Sequence, residues 1–517
     1  MCSAPAAGLR GGPAPAPRLA AMSHPLAPRV SARASRIPAV WWFTLAVFAL
    51  YTLYSLTRYP QFLTAGYDLG IFDQAVRRYS RFESPLVALK GDHYHLLGDH
   101  FHPILALLAP LYWIWDDPRT LVIAQAALVA SSIPVVSGFL RRHLGAGRLH
   151  WALLVAYALS WPLERLVDFD FHEICFAIPL LALALDALDR RSDRGFVAAA
   201  LPLLLVREDM GMVLAMLGIV RMLQRPRPGQ GRGRGIALGS ALVVLGTVVF
   251  FLVIRVVLPH FAASGQFAYW TYDALGSDAA SSVTFILLHP LRTAEIFFTP
   301  WVKTRTLAYL LVPLALLPLR SWLVLVTLPL LAQRFLSSRT HLWTTEFHYS
   351  APIFVILFFA TVDAIERFRA SWRRPLAKLV AVLLLLTPVV DLAVNGRNFP
   401  FVRLTWSAWQ TKPLMVHQQA VLAHIPPHTC VEVDDRLAAH LTRSNRVTLP
   451  TLTSRQSDFV VLDMSQKEVG YPLPSPQQVE QQVVAEGYTK VASEGPIVVW
   501  QRPGYAGPTA GCGADAP

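Results

Sequence analysis

From residue 38 to residue 395 the chain alternates apolar runs with short arginine-rich connections, and no other feature constrains its fold as much. A helix needs about 20 apolar residues to cross the hydrocarbon core of a bilayer. Runs of that order, some shorter, lie at 38–57, 120–140, 149–163, 174–188, 236–258, 306–319, 321–336, 350–366 and 376–395. With 15% charged residues and a mean hydropathy of +0.42, the chain groups with polytopic membrane proteins and not with soluble domains. Its net charge of +13 does not indicate a nucleic-acid partner, because the arginines sit in small clusters between apolar runs and form no continuous basic face.

Those clusters set an orientation. The positive-inside rule places Arg141, Arg142 and Arg148, then Arg190, Arg191 and Arg194, the group from Arg221 to Arg234, and the group from Arg367 to Lys378 in the cytoplasm. The run 104–115 then cannot cross and reads as a re-entrant or interfacial helix, while 196–223 must start and finish inside as a hairpin with Arg207, Glu208 and Asp209 at its tip. The predicted fold class is an α-helical polytopic protein of the cell membrane with about 11 helices. Its N-terminus is inside, and a small external α/β domain closes the chain. The expected divisions are a disordered cytoplasmic tail (1–37), a membrane domain (38–396) with long outer loops at 58–118 and 259–305, the α/β domain (397–503) and a disordered tail (504–517). Cys2, Cys175, Cys430 and Cys512 show no CxxC spacing, so they support neither a disulfide framework nor a cysteine-rich zinc site.

With this topology the acids and histidines converge on the outer face. In YDLGIFDQ, Asp68 and Asp73 follow the first membrane helix; either can act as a general base for an acceptor hydroxyl, or simply cap the next helix. In GDHYHLLGDHFHP, Asp92 with His95, and Asp99 with His100 and His102, have donor types suited to zinc or manganese, while histidines at this level can equally bind lipid headgroups or water. In DFDFHE, an extended backbone turns Asp168, Asp170 and His172 to one side and two phenylalanines to the other, and Glu173 follows. Such a cluster can hold a divalent cation, magnesium or manganese, against a departing phosphate; Asp99, His172 and Glu173 are the expected metal ligands. The Arg207 guanidinium can take a lipid-linked phosphate or pair with Glu208 and Asp209, and His348 and Tyr349 of HYSAP lie on another outer loop.

Taken in order, YDLGIFDQ, GDHFHPILALLAPLYWIW, DFDFHEICFAIPLLALAL, VREDMG and HYSAP resemble the DUF2079 family of bacterial multi-pass membrane proteins over roughly residues 40–500. The architecture in turn resembles the GT-C superfamily of membrane glycosyltransferases, whose first external loop is acidic and whose donors are lipid-phosphate sugars. The resemblance implies Asp68 or Asp73 as the catalytic base, with Asp168 and Asp170 as a second acidic motif. The expected substrate-binding residues are Arg207, Glu208, Asp209, His348, Tyr349, His100 and His102. Arg207 stands where the family pattern has lysine, and His93 and His95 fall outside that pattern.

The expected function is glycosyl transfer from a polyprenyl-phosphate sugar to a cell-envelope acceptor at the outer leaflet. A transporter or flippase and a non-catalytic envelope protein are the alternatives. The transporter lacks the support of an inverted repeat, and its ionisable groups crowd one face instead of the midplane.

Overall fold

The computed structural model describes residue 12 and residues 37–226, 231–267, 270–395, 401, 404, 406–453, 456–465, 473–509 and 512. The expected N-terminal tail therefore lies almost entirely outside the described residues. From Ala39 onward the chain forms one unit that is mostly helical, with a sheet near its C-terminal end.

Three helices among the described residues are long and apolar enough to cross a membrane: Ala39–Gln61, Arg119–Leu144 and Arg232–Phe261. Several expected spans are broken. The runs 306–319 and 321–336 give the helix Trp301–Leu311, then short 3-10 turns, then Leu328–Phe335, with Ala315 and Leu316 left-handed at φ 53° and 57°. Pro313, Pro318 and Pro329 explain the breaks, since proline lacks the amide that a continuing helix needs. The run 104–115 forms Pro103–Leu108 and Ala109–Tyr112, too short to span. The 196–223 segment turns back as expected: Asp193–Ala200 and Leu201–Leu205 lead into a turn at 206–209, and Met210–Leu223 returns.

Met210–Leu223 packs on Arg232–Leu252 at backbone distance. A Cβ on Gly218 would fall 2.6 Å from the Gly239 carbonyl oxygen, and one on Gly211 would fall 2.7 Å from that of Gly246. Small residues in this register let two apolar helices attract through dispersion where lipid removes the hydrophobic drive.

The polar connections sort into two groups. Arg142 bridges Asp186 and Asp189 at 2.5 and 2.9 Å, His143 lies between Asp189 and Glu366, and Arg221 and Arg234 share Asp193, each at 2.9 Å. These contacts join the connections near 142, 190, 221–234 and 366, which are the four basic clusters of the sequence. The acidic and histidine-rich loops meet separately, as described below.

The sheet is built from β1 (Cys430–Val433), β2 (Arg446–Thr448), β3 (Phe459–Asp463), β4 (Thr489–Glu494) and β5 (Ile497–Gln501), in the order β2-β1-β3-β5-β4. β1 runs parallel to β2 and β3, and β5 is antiparallel to β3 and β4. Every residue of β3 is buried, as a strand covered on both faces requires. The helix Pro476–Ala485 starts in a capping box, Ser475 Oγ accepting from the Gln478 amide while Gln478 Oε1 accepts from the Ser475 amide. The cysteine spacing misled in one respect: Cys430 and Cys512 form a disulfide. With Thr509 donating to Asp458 at 2.6 Å, this bond fixes part of the terminal stretch that composition marks as disordered.

Candidate active site

The first membrane helix ends at Arg58, and Gly66–Gly70 form one wide π-turn ahead of the helix Ile71–Ser80. Single π-turns recur at functional sites because the extra residue re-aims side chains. Asp68 sits in this turn. Its Oδ1 meets His172 Nε2 at 3.2 Å, its Oδ2 has no hydrogen bond among the described residues, and its carboxylate is 29% exposed. His172 Nδ1 reaches Glu173 Oε2 at 3.3 Å, the other Glu173 oxygen lies 3.6 Å from Arg207, and Arg207 forks onto Asp209 at 2.9 and 2.6 Å. One polar chain thus links the loop after the first helix, the 172–173 loop and the hairpin tip. Burial lowers the basicity of His172, but its bonds to Asp68 and Glu173 outweigh that and lift its pKa to about 9.

His348 stacks on His172 with ring centres 3.9 Å apart. It is buried, and neither of its ring nitrogens has a hydrogen-bond partner among the described residues. Burial first, and then the neighbouring His172 cation, push its pKa well below the ordinary imidazole value, so it stays neutral.

Beside this chain opens a cavity of about 100 Å³ lined by His100, Arg207, Tyr272, Arg334, Arg339 and Tyr349. Arg334 is the unusual member. It is 3% exposed and donates only to neutral acceptors: the Leu342 carbonyl at 2.8 Å, the Thr344 carbonyl at 2.9 Å and Ser350 Oγ at 3.0 Å. Among the described residues no carboxylate balances it. A buried charge without a counterion is costly, so this position is suited to an anion brought in by a ligand. The cavity has room for a phosphate group, several times the volume share of one water.

Other residues marked in the sequence occupy different positions. Asp73 is fully buried, gripped by Arg77 at 2.6 and 3.0 Å and by the Tyr112 hydroxyl at 2.7 Å. Asp170 accepts from Arg58 at 2.9 Å and from the Ala65 amide at 2.6 Å, while Asp168 is held by the Tyr54 hydroxyl and by Arg165 at 3.3 Å. Asp170 therefore braces the start of the loop that follows the first helix, and Asp168 braces the end of that helix. Glu208 turns from Arg207 to bind His100 at 2.8 Å and the Phe101 amide at 3.1 Å. His102 is buried with Nδ1 unpartnered, and burial lowers its pKa to about 4.

The expected metal set does not assemble. Asp99 binds Lys90 at 2.6 Å and the Tyr94 hydroxyl at 3.2 Å, away from the His172–Glu173 pair, whose facing atoms are engaged with each other. Among the described residues, three such donor atoms come within 4.8 Å of one another only at Cys430, Asp458 and Cys512, where the sulfurs are bonded together. Among the described residues, Asp99, His172 and Glu173 do not fit a divalent cation.

Arg334 is not among the residues expected from the sequence, although an arginine inside the apolar run 321–336 is itself a signal, because ionisable groups in such runs usually serve a function. Arg58, the partner of Asp170, follows an apolar run and looks like an ordinary helix terminus until the fold is known.

Comparison with known families matches residues 58–498 to the model described as predicted membrane protein (DUF2079). Comparison with the curated proteins gives no match. Among solved structures, the crystal structure of ArnT from Cupriavidus metallidurans bound to undecaprenyl phosphate shares the fold. The TM-score is 0.53 at 15% identity, covering 91% of this chain and 100% of that one.

Proposed function

The chain belongs to the DUF2079 family of predicted membrane proteins, and from that premise we propose that it is a membrane glycosyltransferase using a polyprenyl-phosphate sugar donor at the outer leaflet. The observation that carries the reading is Arg334, a buried guanidinium without a carboxylate partner, on the wall of a cavity that also meets Arg207. The undecaprenyl phosphate in the ArnT structure supports a lipid-phosphate donor. The Cys430–Cys512 disulfide supports an outward sheet, since such bonds persist in oxidising compartments.

In the proposed step the free oxygen of Asp68 takes the proton of the acceptor hydroxyl. The acceptor oxygen forms its bond to the anomeric carbon as the bond from that carbon to the donor phosphate oxygen breaks. The electron pair remains on the phosphate, whose added charge Arg334 and Arg207 stabilise. His172 holds the other oxygen of Asp68, fixing the base in direction. The acceptor is a cell-envelope hydroxyl compound.

The test uses the protein in nanodiscs, with undecaprenyl phosphate binding followed by native mass spectrometry and transfer followed from lipid-linked sugar pools of the host membrane. Arg334→Gln should weaken lipid binding about 10-fold or more, the loss expected for one charged hydrogen-bonding group. Asp68→Asn should leave binding intact and lower transfer by a factor of about 100 to 10,000. Unchanged lipid binding in the first variant would refute the phosphate site; full transfer in the second would refute the base.

A further inference from the structure

The short helix Asp435–Ala438, which follows β1, lies directly on the turn that carries Asp68. Asp435 Oδ1 accepts from the Tyr67 amide at 2.7 Å, one residue from Asp68. The approach leaves no spare room: a Cβ on Gly66 would fall 2.5 Å from the Ala438 Cβ and 3.3 Å from the Asp435 carbonyl oxygen. The same stretch holds the loop elsewhere. Arg77 donates to the Thr442 carbonyl at 2.8 Å, and His440 packs against Tyr59 and Phe62 with ring centres 4.1 and 4.2 Å away.

We propose that Asp435 is a positioning residue for Asp68, in which the C-terminal sheet sets the angle of the Asp68–His172 pair through the Tyr67 amide. The inference rests on the reading of Asp68 as the base and adds to it that this base is only half built by the membrane helices. The hydrogen bond and the glycine contact carry the argument independently. Tyr67 is the second residue of the π-turn, where the first amides of a helical segment have no intrahelical acceptor, and Asp435 supplies one from another part of the chain. The charged groups facing Asp435 are Asp68 and Asp170 on the loop side and Arg436 and Asp434 on its own side. Burial, followed by this crowd of carboxylates, raises its pKa to about 6. Asp435 is therefore an anion above that value, and a charged acceptor holds an amide more firmly than a neutral one.

Without the Asp435 acceptor the turn relaxes, and the 3.2 Å contact between Asp68 and His172 lengthens. Displacements of this order in a reacting group reduce turnover by up to about 100-fold. The His172 proton reports the change directly, because its high affinity depends on Asp68 and Glu173 together.

The experiment follows the His172 titration by NMR on histidine-labelled full-length protein in nanodiscs, the resonance being assigned with His172→Asn. Wild type should titrate near 9, Asp435→Ala should fall toward the ordinary imidazole value, and Asp435→Asn, which keeps a neutral accepting oxygen, should fall less than Asp435→Ala. Should Asp435→Ala fail to fold, Gly66→Ala leaves Asp435 in place but forces the helix off the turn and should produce the same fall. An unchanged midpoint in both Asp435→Ala and Gly66→Ala would overturn the inference while leaving Asp68 as the base. A wild-type midpoint at the ordinary imidazole value would remove the Asp68–His172 pair itself, and with it the proposed base and this inference.

Discussion

The imidazole of His348 lies nearly flat on that of His172, the planes 27° apart, and the two rings hold opposite protonation states. His172 is cationic because Asp68 and Glu173 flank it; His348 is neutral because it is buried beside that cation. The proton of the site is therefore localised on the ring that touches the proposed base.

This localisation sets a pH dependence. The folded pKa of His172 is raised from the ordinary 6.5 to about 9, so the stabilisation it brings is complete below about pH 6.5 and disappears as pH rises through about 9. Transfer activity should show an alkaline limb near 9, and His172→Asn should abolish that limb while lowering activity at neutral pH. Initial rates measured from pH 6 to 10 check it; an alkaline limb retained in the variant would count against His172 as its source.

Asp68 and Asp73 should respond differently to the same substitution. Asp73 neutralises the fully buried Arg77, which also holds Asp116 at 2.7 Å and the Thr442 carbonyl. Removing one partner from a buried ion pair costs up to about 3–5 kcal/mol, and Asp73→Asn leaves the Arg77 guanidinium with the 40% exposed Asp116 carboxylate in place of a buried one. Asp73→Asn should therefore lower the thermal unfolding temperature by several degrees, and by more than Asp68→Asn, because His172 keeps Glu173 when the partly exposed Asp68 is changed. Unfolding scans of the two variants decide the matter, and equal destabilisation would contradict the division of roles.

The two groups of polar connections predict a pattern of accessibility. Asp92 pairs with Arg446 of the sheet at 2.7 Å on the acidic face and is mostly exposed, while Arg225 belongs to the basic face. A membrane-impermeant maleimide applied to intact cells should modify Asp92→Cys and spare Arg225→Cys, with both reacting after permeabilisation. The reverse pattern would invert the proposed orientation and place the site in the cytoplasm.

Much of this arrangement is legible in the sequence, and the exceptions have physical causes. Charge clusters and apolar run lengths are local properties, so the hairpin tip at 207–209 and the non-spanning 103–112 segment follow from them. The role of an acid depends on its partners, which are distant in sequence. From the sequence Asp68 and Asp73 are equivalent, yet Arg77, four residues on, neutralises one while His172 leaves an oxygen of the other free. In DFDFHE the extended alternation is cut short because Asp168 ends a helix; Arg58 and Tyr54 claim the aspartates, and only His172 and Glu173 join the polar chain. The density of histidines in GDHYHLLGDHFHP misleads because they disperse: His95 stacks on Phe261, His100 binds Glu208, and His102 is buried near Phe72.

The disulfide is the least legible feature and gives the last prediction. Cys430 begins the strand that pairs with both β2 and β3, and its partner lies 82 residues later, beyond the last strand. Closing a loop of that length removes unfolded-state entropy worth about 4 kcal/mol, so the sheet depends on it more than on any one surface contact. Reduction should increase hydrogen exchange in residues 430–463 and, because Asp435 holds the Tyr67 amide, should spread to the turn 66–70. Cys512→Ser should show the same exchange without reductant and no further change with it. Exchange confined to the sheet, with the turn still protected, would show that the sheet and the proposed base are mechanically independent. Alkylation of Cys430 in unreduced, denatured protein would show that the bond does not form in the cell and would remove one support for an outward-facing sheet.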